Sequence, residues 1–457
     1  MRVHPGIFRA YDIRGIAERD FDAEFARALG GAYAAYLAES GAPARPRVGV
    51  GRDCRLTSDG YAEALRAGMR AAGLDVVDLG VCPTPVVYFS TFDLGLDGAI
   101  QVTGSHNPSD HNGFKISVGT TSIHGDEIQR LREIMEAGSF PRGEGSEETF
   151  DIVRRYQEFL IGSLPPLPRP LRIVVDAGNA TAGPVAPAIY RALGAEVHEL
   201  YCEMDGRFPN HHPDPTEEEN LVDLIKAVAD TGADLGIAFD GDADRIGVIG
   251  GGGRVIWGDE LMILFAREVL ADQPGATIVS EVKCSQRLYD DIASRGGNGI
   301  MWRAGHSPIK AKMRETRAAL GGEMSGHIFF ADRYFGYDDA IYAGARLLQI
   351  AAASPRTIEA ILDELPPSFT TPEIRVECPD DIKFEVVRRA VEHFRKTHEI
   401  VDVDGVRVKL PDGWGLIRAS NTQPVLVLRF ESQTPENLAR YRKDFEDLVS
   451  RLRAELE

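Results

Sequence analysis

Three carboxylates stand on alternate residues in Asp240-Gly241-Asp242-Ala243-Asp244-Arg245, directly after the apolar run Leu235-Gly236-Ile237-Ala238-Phe239. This order predicts a buried strand that ends in a tight loop whose side chains can converge on one hard cation. Oxygen donors with no Cys or His among them favour Mg2+ or Ca2+ over Zn2+. A calcium loop of the EF-hand type beginning at Asp240 needs Gly in its sixth place and Glu in its twelfth, and those places hold Arg245 and Gly251. The EF-hand therefore fails. A magnesium site facing a phosphate is the better reading, with Arg245 beside it as a bidentate phosphate clamp. The plainer alternative is an acidic turn that caps the next element.

Other loops offer complementary groups. Ser105 follows Gly98-Ala99-Ile100-Gln101-Val102 and is flanked by Gly104, His106, Asn107 and Pro108, a combination that favours a tight turn with the hydroxyl projecting. That suits a phosphoryl carrier, although a loop serine more commonly serves as a turn or helix cap. His106 and Asn107 can donate to a phosphate on Ser105 or satisfy the turn. Lys115 reaches the same place if it lies at a strand start, and is otherwise a surface lysine. Glu323, Ser325 and His327 alternate, so an extended segment would point all three the same way, as a reader of sugar hydroxyls or as a polar strand edge. Arg418, Ser420, Asn421 and Thr422 lie in one turn before Gln423-Pro424 and suit a phosphate dianion. His211 and His212, among Pro209, Pro213 and Pro215, read as a rigid loop rather than a metal site.

Three similar syllables must position these loops. The first runs through Val48-Gly49-Val50, a helix near 58–72, Val76 to Leu79, a helix near 86–92 and Gly98 to Val102. The second has Arg172 to Val175, a helix near 184–193, Glu196 to Leu200, a helix near 216–229 and Leu235 to Phe239. The third has Thr277 to Val279, a helix near 285–294, Gly299 to Trp302, a helix near 308–319 and then Gly322. Strands alternating with helices imply α/β units with buried, largely parallel sheets, and each polar loop falls at the third strand. The run Gly250 to Gly253 reads as a hairpin turn. From Phe369 onward alternating strands and amphipathic helices predict a smaller C-terminal α+β domain. The expected domains are 1–150, 151–254, 255–366 and 367–457, giving an α/β fold of three related mixed units plus the α+β domain around a central cleft.

With 457 residues the chain exceeds what one core usually supports, and 43% hydrophobic with 26% charged residues is an ordinary globular balance. The formal charge of −19 argues against nucleic acid as a partner, while an anionic small substrate is allowed where basic residues gather. Neither a secretory signal nor a membrane span is legible, and the five scattered cysteines lack C-x-x-C spacing, so a cytoplasmic setting is expected. The Asn179-Ala180-Thr181 sequon is then expected to be without consequence.

Together these loops resemble the α-D-phosphohexomutase superfamily, in its bacterial phosphomannomutase/phosphoglucomutase branch. The likeness runs from Phe8-Arg9-Ala10-Tyr11-Asp12-Ile13-Arg14-Gly15 through the Ser105 and Asp240 loops, Val282-Lys283-Cys284, Gly305-His306, the Glu323 loop and the Arg418 turn. It implies four domains in a heart-like arrangement, the fourth a mobile lid. By resemblance, Ser105 is the phosphoserine, and Asp240, Asp242 and Asp244 hold Mg2+ with an oxygen on Ser105 completing the site. Glu323 and Ser325 read sugar hydroxyls, while Arg418, Ser420, Asn421 and Thr422 grip the non-reacting phosphate. Arg14, Tyr11, Arg245, Lys283, Gly305, His306 and His327 line the rest, with Lys115 and His327, then His306, as candidate bases.

The implied reaction interconverts hexose 1-phosphate and hexose 6-phosphate, of mannose or glucose, through a 1,6-bisphosphate that reorients. Glucose 1,6-bisphosphate or mannose 1,6-bisphosphate would act as activator. Met324 is similar to enzymes that handle both sugars, and phosphoglucosamine mutase is the alternative. A haloacid-dehalogenase-like phosphatase would carry Thr at Asp244 and leave Ser105 idle, and a sugar-phosphate sensor would not need the carrier. Oligomeric state is not legible.

Overall fold

The computed structural model describes residues 3–420 and 423–456, and the chain divides into two compact units. One comprises Met1–Gly258, Ser325–Phe330 and Tyr337–Glu359; the other comprises Asp259–Met324, Ala331–Gly336 and Ala360–Glu457.

The first unit holds two mixed sheets. In one, the strands run Ile13–Ile16, His111–Val118, Gly98–Val102, Arg47–Arg52, Asp75–Val81 and Glu147–Thr149. Arg47–Arg52 pairs in parallel with both of its neighbours, whereas His111–Val118 runs antiparallel to Gly98–Val102. Alternation along His111–Val118 sends Phe114 and Ile116 into a core with Leu29, Tyr33, Leu65 and Met69, at about 1.5–3 kcal/mol per fully buried apolar side chain. Lys115, one residue out of phase, points to the other face. The adjoining helix Ala23–Glu39 is started by Asp22, whose carboxylate accepts the Phe25 N–H at 2.9 Å.

The second sheet repeats the plan with Val255–Ile256, Ile246–Gly250, Leu235–Phe239, Arg172–Asp176 and Glu196–Leu200. Leu235–Phe239 is parallel to Arg172–Asp176 and antiparallel to Ile246–Gly250. The Ser105 and Asp240 loops thus occupy corresponding places, where a buried parallel strand turns back into an antiparallel partner. The expectation of largely parallel sheets is corrected at this edge, because the polar loops are short enough to make hairpins instead of helical crossovers. Gly250 to Gly253 forms the expected turn, between antiparallel strands.

In the second unit Thr277–Glu281 pairs in parallel with Asn298–Trp302 and Leu320–Gly322. Its C-terminal part is an antiparallel sheet in which Gly413–Ala419 and Val425–Ser432 are central. Helices Lys383–Arg395 and Pro435–Ala454 cover it, with Phe394 stacked on Phe445 at 4.6 Å between ring centroids. Arg407 ties this sheet to the Val282-Lys283-Cys284 segment, donating to the carbonyls of Val282 and Cys284 at 2.6 and 2.7 Å.

Three local expectations change. The helix expected near 216–229 is Val222–Thr231, preceded by a single 3-10 turn at Glu218–Leu221, because Asp214 accepts from the N–H and hydroxyl of Thr216 and holds that stretch as a turn. Residues 323–327 form a turn rather than an extended segment, so Glu323, Ser325 and His327 do not share one strand face. Gly326 makes that turn at φ +92°, where a Cβ would sit 2.3 Å from the Ile246 carbonyl oxygen. Lys115 lies mid-strand and buried, not at a strand start or on the surface.

Candidate active site

Ser105 sits in a left-handed conformation at φ +49° and is buried, which aims Oγ away from its own strand. A cradle that sequence reading missed imposes this. Asp53 accepts from Thr103 Oγ1 at 2.8 Å and from the Gly104 N–H at 3.2 Å, and Thr103 Oγ1 accepts the Ser105 N–H at 2.8 Å. Arg55, buried and paired with Asp53 at 3.1 Å, donates to the carbonyls of Ser105, Asn107 and His111. The available signal was Arg52-Asp53-Cys54-Arg55, a charged run directly after a buried strand.

The Ser105 hydroxyl donates to Asp240 Oδ2 at 2.8 Å. Asp240, Asp242 and Asp244 are each fully buried and offer oxygens within 4.8 Å of one another. Gly241 permits the approach, since a Cβ there would stand 2.3 Å from the Ser105 carbonyl oxygen. Asp240 Oδ1 accepts the N–H groups of Asp244 and Arg245, at 3.1 and 3.2 Å. Asp242 Oδ2 accepts from Thr84 Oγ1 at 2.5 Å and from Lys115 Nζ at 2.6 Å, and Lys115 also pairs with Asp244. Asp242 Oδ1 and Asp244 Oδ1 are buried with no hydrogen-bond partner among the described residues. Three carboxyl groups, two of them (Asp242 and Asp244) with an oxygen left over, fit a hard divalent cation.

Burial pushes all three carboxyls upward. On Asp240 the negative charges of Asp244 and Asp242 add to it, and the shift is strongly up. On Asp242 and Asp244 the Lys115 ammonium, joined on Asp244 by His327, outweighs burial and the shift is down. Burial likewise works to strip the Lys115 proton, and the Asp242 and Asp244 carboxylates reverse this, holding it well above the ordinary lysine value.

Around this cluster lie the other sequence-predicted residues of the first unit. His327 Nε2 is 3.3 Å from Asp244 Oδ1, and its Nδ1 is 3.2 Å from Ser325 Oγ. Arg245 bridges two rings, with Nε 3.4 Å from His327 Nε2 and a terminal nitrogen 3.3 Å from His106 Nε2. Burial and the Arg245 charge push His106 below the usual histidine value. Arg14 donates to the Asn107 side-chain oxygen at 2.8 Å and pairs with Asp12 at 2.5 Å, so Asn107 orients a cation here. Tyr11 lies half-buried in the same segment.

The remaining candidates belong to the second unit. Glu323 accepts the Gly305 N–H at 2.5 Å, at the start of the helix His306–Thr316 that carries His306 in its first turn. Lys283 pairs with Glu373 at 2.6 Å and stands 3.4 Å from Glu281, which is fully buried and accepts the Met324 N–H at 3.1 Å. Arg418 pairs with Asp404 at 3.0 Å, and the Ser420 hydroxyl accepts the Gln423 N–H at 3.2 Å. Asn421 and Thr422 lie outside the described residues. His211 is a loop anchor, 3.0 Å from the buried Asp176. Asn179 of the sequon is buried and donates to the Glu203 carbonyl.

Among the described residues no helix is long and apolar enough to cross a membrane. Four family models match in succession: phosphoglucomutase/phosphomannomutase domain I over residues 5–142, domain II over 155–253, domain III over 257–369 and the C-terminal domain over 373–448. The chain is 47% identical to a phosphomannomutase/phosphoglucomutase of Pseudomonas aeruginosa over 96% of its length and 94% of the relative. It is 43% identical to a phosphoglucomutase of Neisseria gonorrhoeae, covering 97% of this chain and 96% of that one. A phosphoglucomutase/phosphomannomutase family protein from Burkholderia thailandensis superposes with a TM-score of 0.92 at 45% identity, over 99% of this chain and 98% of the other. With four successive domains matched and relatives this close along nearly the whole length, the chain belongs to the phosphoglucomutase/phosphomannomutase family.

Proposed function

We propose that the chain interconverts hexose 1-phosphate and hexose 6-phosphate, of mannose or glucose, with Ser105 as the phosphoryl carrier. The observation that carries this is the buried Ser105 hydroxyl, 2.8 Å from the first of three clustered carboxylates, with Lys115, His106, Arg245 and His327 around it. In the forward step the hydroxyl of a hexose 1-phosphate attacks phosphorus on Ser105. The P–O bond to Oγ breaks, the P–O bond to the sugar forms, and the hydroxyl proton passes to a base. His327 stands at the carboxylate cluster as a candidate for it, whereas Lys115, held protonated between Asp242 and Asp244, stands there as a cation. The bisphosphate so formed turns round and returns its other phosphoryl group to Ser105.

Phosphoryl transfer asks chiefly for positioning and charge neutralisation. A phosphoserine brings about −1.5 to −2 charges to a place already holding three carboxylates. Asp240, Asp242 and Asp244 would hold Mg2+ with an oxygen on Ser105, and the ion would neutralise charge on the transferring group. Arg245, between the His106 and His327 rings, would address the same group. In the second unit Glu323 and Met324 serve the sugar, and Arg418, Ser420 and Lys283 the distal phosphate. Glucose 1,6-bisphosphate or mannose 1,6-bisphosphate would charge a dephosphorylated enzyme. The phosphoglucosamine alternative is not favoured, because the relatives above carry mannose and glucose names. A reducing cytoplasm suits five scattered cysteines without C-x-x-C spacing.

The test is peptide mass spectrometry after incubation with Mg2+ and glucose 1,6-bisphosphate, beside a mutase assay. A base-labile, acid-stable phosphate on the Ser105 peptide supports the carrier. A hydroxylamine-sensitive adduct at Asp240 would point to a phosphatase, and binding with neither adduct nor turnover to a sensor.

A further inference from the structure

We propose that Asp214 is a positioning residue for phosphoryl transfer, fixing the His106 ring in the tautomer whose bare Nε2 accepts from Arg245 and so aims that guanidinium at the phosphoryl group on Ser105. The inference rests on the carrier reading of Ser105.

Asp214 Oδ2 lies 2.6 Å from His106 Nδ1. An ionised carboxylate only accepts, so the proton on that edge of the ring is committed to Nδ1, and Nε2 alone is left to address anything else. Nε2 faces the Arg245 guanidinium at 3.3 Å, a donor-only group, which demands a bare ring nitrogen in the neutral imidazole. Donor and acceptor therefore agree on one tautomer along Asp214, His106 and Arg245. His106 follows Ser105 directly, so the edge fixed by this chain belongs to the residue next to the reacting oxygen.

Asp214 is itself held from several sides, as a positioning group must be. It is buried, and its Oδ1 accepts from the Thr216 N–H at 3.0 Å and the Thr216 hydroxyl at 2.7 Å. Its carbonyl accepts from Asn220 Nδ2 at 2.9 Å. Pro213 and Pro215 restrict the backbone on either side. Three residues earlier His211 anchors the same loop to Asp176, at the end of a buried strand. This bracing serves a side chain whose second oxygen goes to His106 and whose first is consumed by the turn.

The substitution Asp214→Asn tests this with little change of shape. The Thr216 N–H and hydroxyl require an acceptor, which fixes the Asn oxygen toward Thr216 and turns the amide N–H toward His106. Nδ1 must then accept, the ring proton moves to Nε2, and Nε2–H meets the Arg245 N–H donor against donor. The expected result is a fall in kcat of about 10²-fold, within the range for a displaced charge-stabilising donor, with KM changed less than about threefold. Nitrogen-15 NMR of histidine-labelled protein should show His106 protonated on Nδ1 in the native chain and on Nε2 in the variant. In a His106→Ala background the same Asp214→Asn change should do nothing further to kcat.

Native kcat in Asp214→Asn, an unchanged His106 tautomer, or an additive loss in the double variant would each overturn the proposal. Failure of the carrier reading is distinct: it shows in the native protein as absent turnover and absent phosphate on Ser105, whatever tautomer His106 adopts.

Discussion

The Ser105 cluster in the first unit and the Lys283 and Arg418 ion pairs in the second solve opposite charge problems. At Ser105 three buried carboxylates face one lysine, so the cluster carries excess negative charge and calls for a further cation. In the second unit the cations are the ones kept in check, with Lys283 on Glu373 and Arg418 on Asp404. On the proposed function, a metal and a phosphorylated serine would complete the first arrangement. On the same proposal, a substrate phosphate would have to compete with a carboxylate for the second. The same fold chemistry can thus prepare a site either by leaving a charge uncompensated or by pairing it with a group that a ligand displaces, and the second choice allows weak, reversible grip.

The sharpest way to break this comparison is at Ser105. Ser105→Ala should lower mutase turnover by more than about 10³-fold, with hexose-phosphate binding by calorimetry largely retained. Turnover near the native level would remove the carrier. Next in size is the cradle. Arg55→Ala leaves Asp53 buried and unpaired, so urea unfolding should show a loss of about 3–5 kcal/mol, and a loss under 1 kcal/mol would mean that Ser105 is positioned by other means.

Glu281 sharpens the other side. Burial pushes its carboxyl up to about 7 from an ordinary 4.5, helped by Glu323 and Glu373 and opposed by Lys283. Between those values the folded chain holds a proton that the unfolded chain releases, so stability falls as pH rises from about 4.5 to 7 and is flat above. Glu281→Gln should remove that part of the slope, on the order of 3 kcal/mol, when unfolding at pH 5 and pH 7.5 is compared with the native chain. An unchanged slope would place the titrating group elsewhere.

Arg418→Ala should raise KM by roughly 10- to 100-fold with a smaller change in kcat. The smallest expected effect is the most specific to the comparison: Asp404→Asn, by freeing Arg418 from a charged competitor, should lower KM by roughly two- to fivefold. An increase would show that Asp404 aims Arg418 instead of restraining it.

Much of this was legible in the chain itself. Short apolar runs followed by polar, glycine-bearing loops marked the strands and the turning points, because burial and turn formation are local demands on residue type. Asp240, Asp242 and Asp244 could be read as one cluster because two-residue spacing in a tight loop leaves few other arrangements. Lys115 was read less well: its place in a buried strand depends on which face Phe114 and Ile116 fill, and its partners are more than a hundred residues away. The turn at 323–327 was read as extended because alternation of polar residues does not reveal that Gly326 must pass against the Ile246 backbone.

The sequence by itself determined the succession of α/β units, the change to an antiparallel domain after Phe369 and the chemical character of each loop, since these follow from local pattern and side-chain chemistry. Only the tertiary structure decided that Asp53 and Arg55 hold the Ser105 turn, that Asp214 takes His106, and that Lys115 stands between two carboxylates. Each of those is a pairing of buried polar groups across distant segments, and its energy depends on desolvation and distance, which no local stretch of sequence contains.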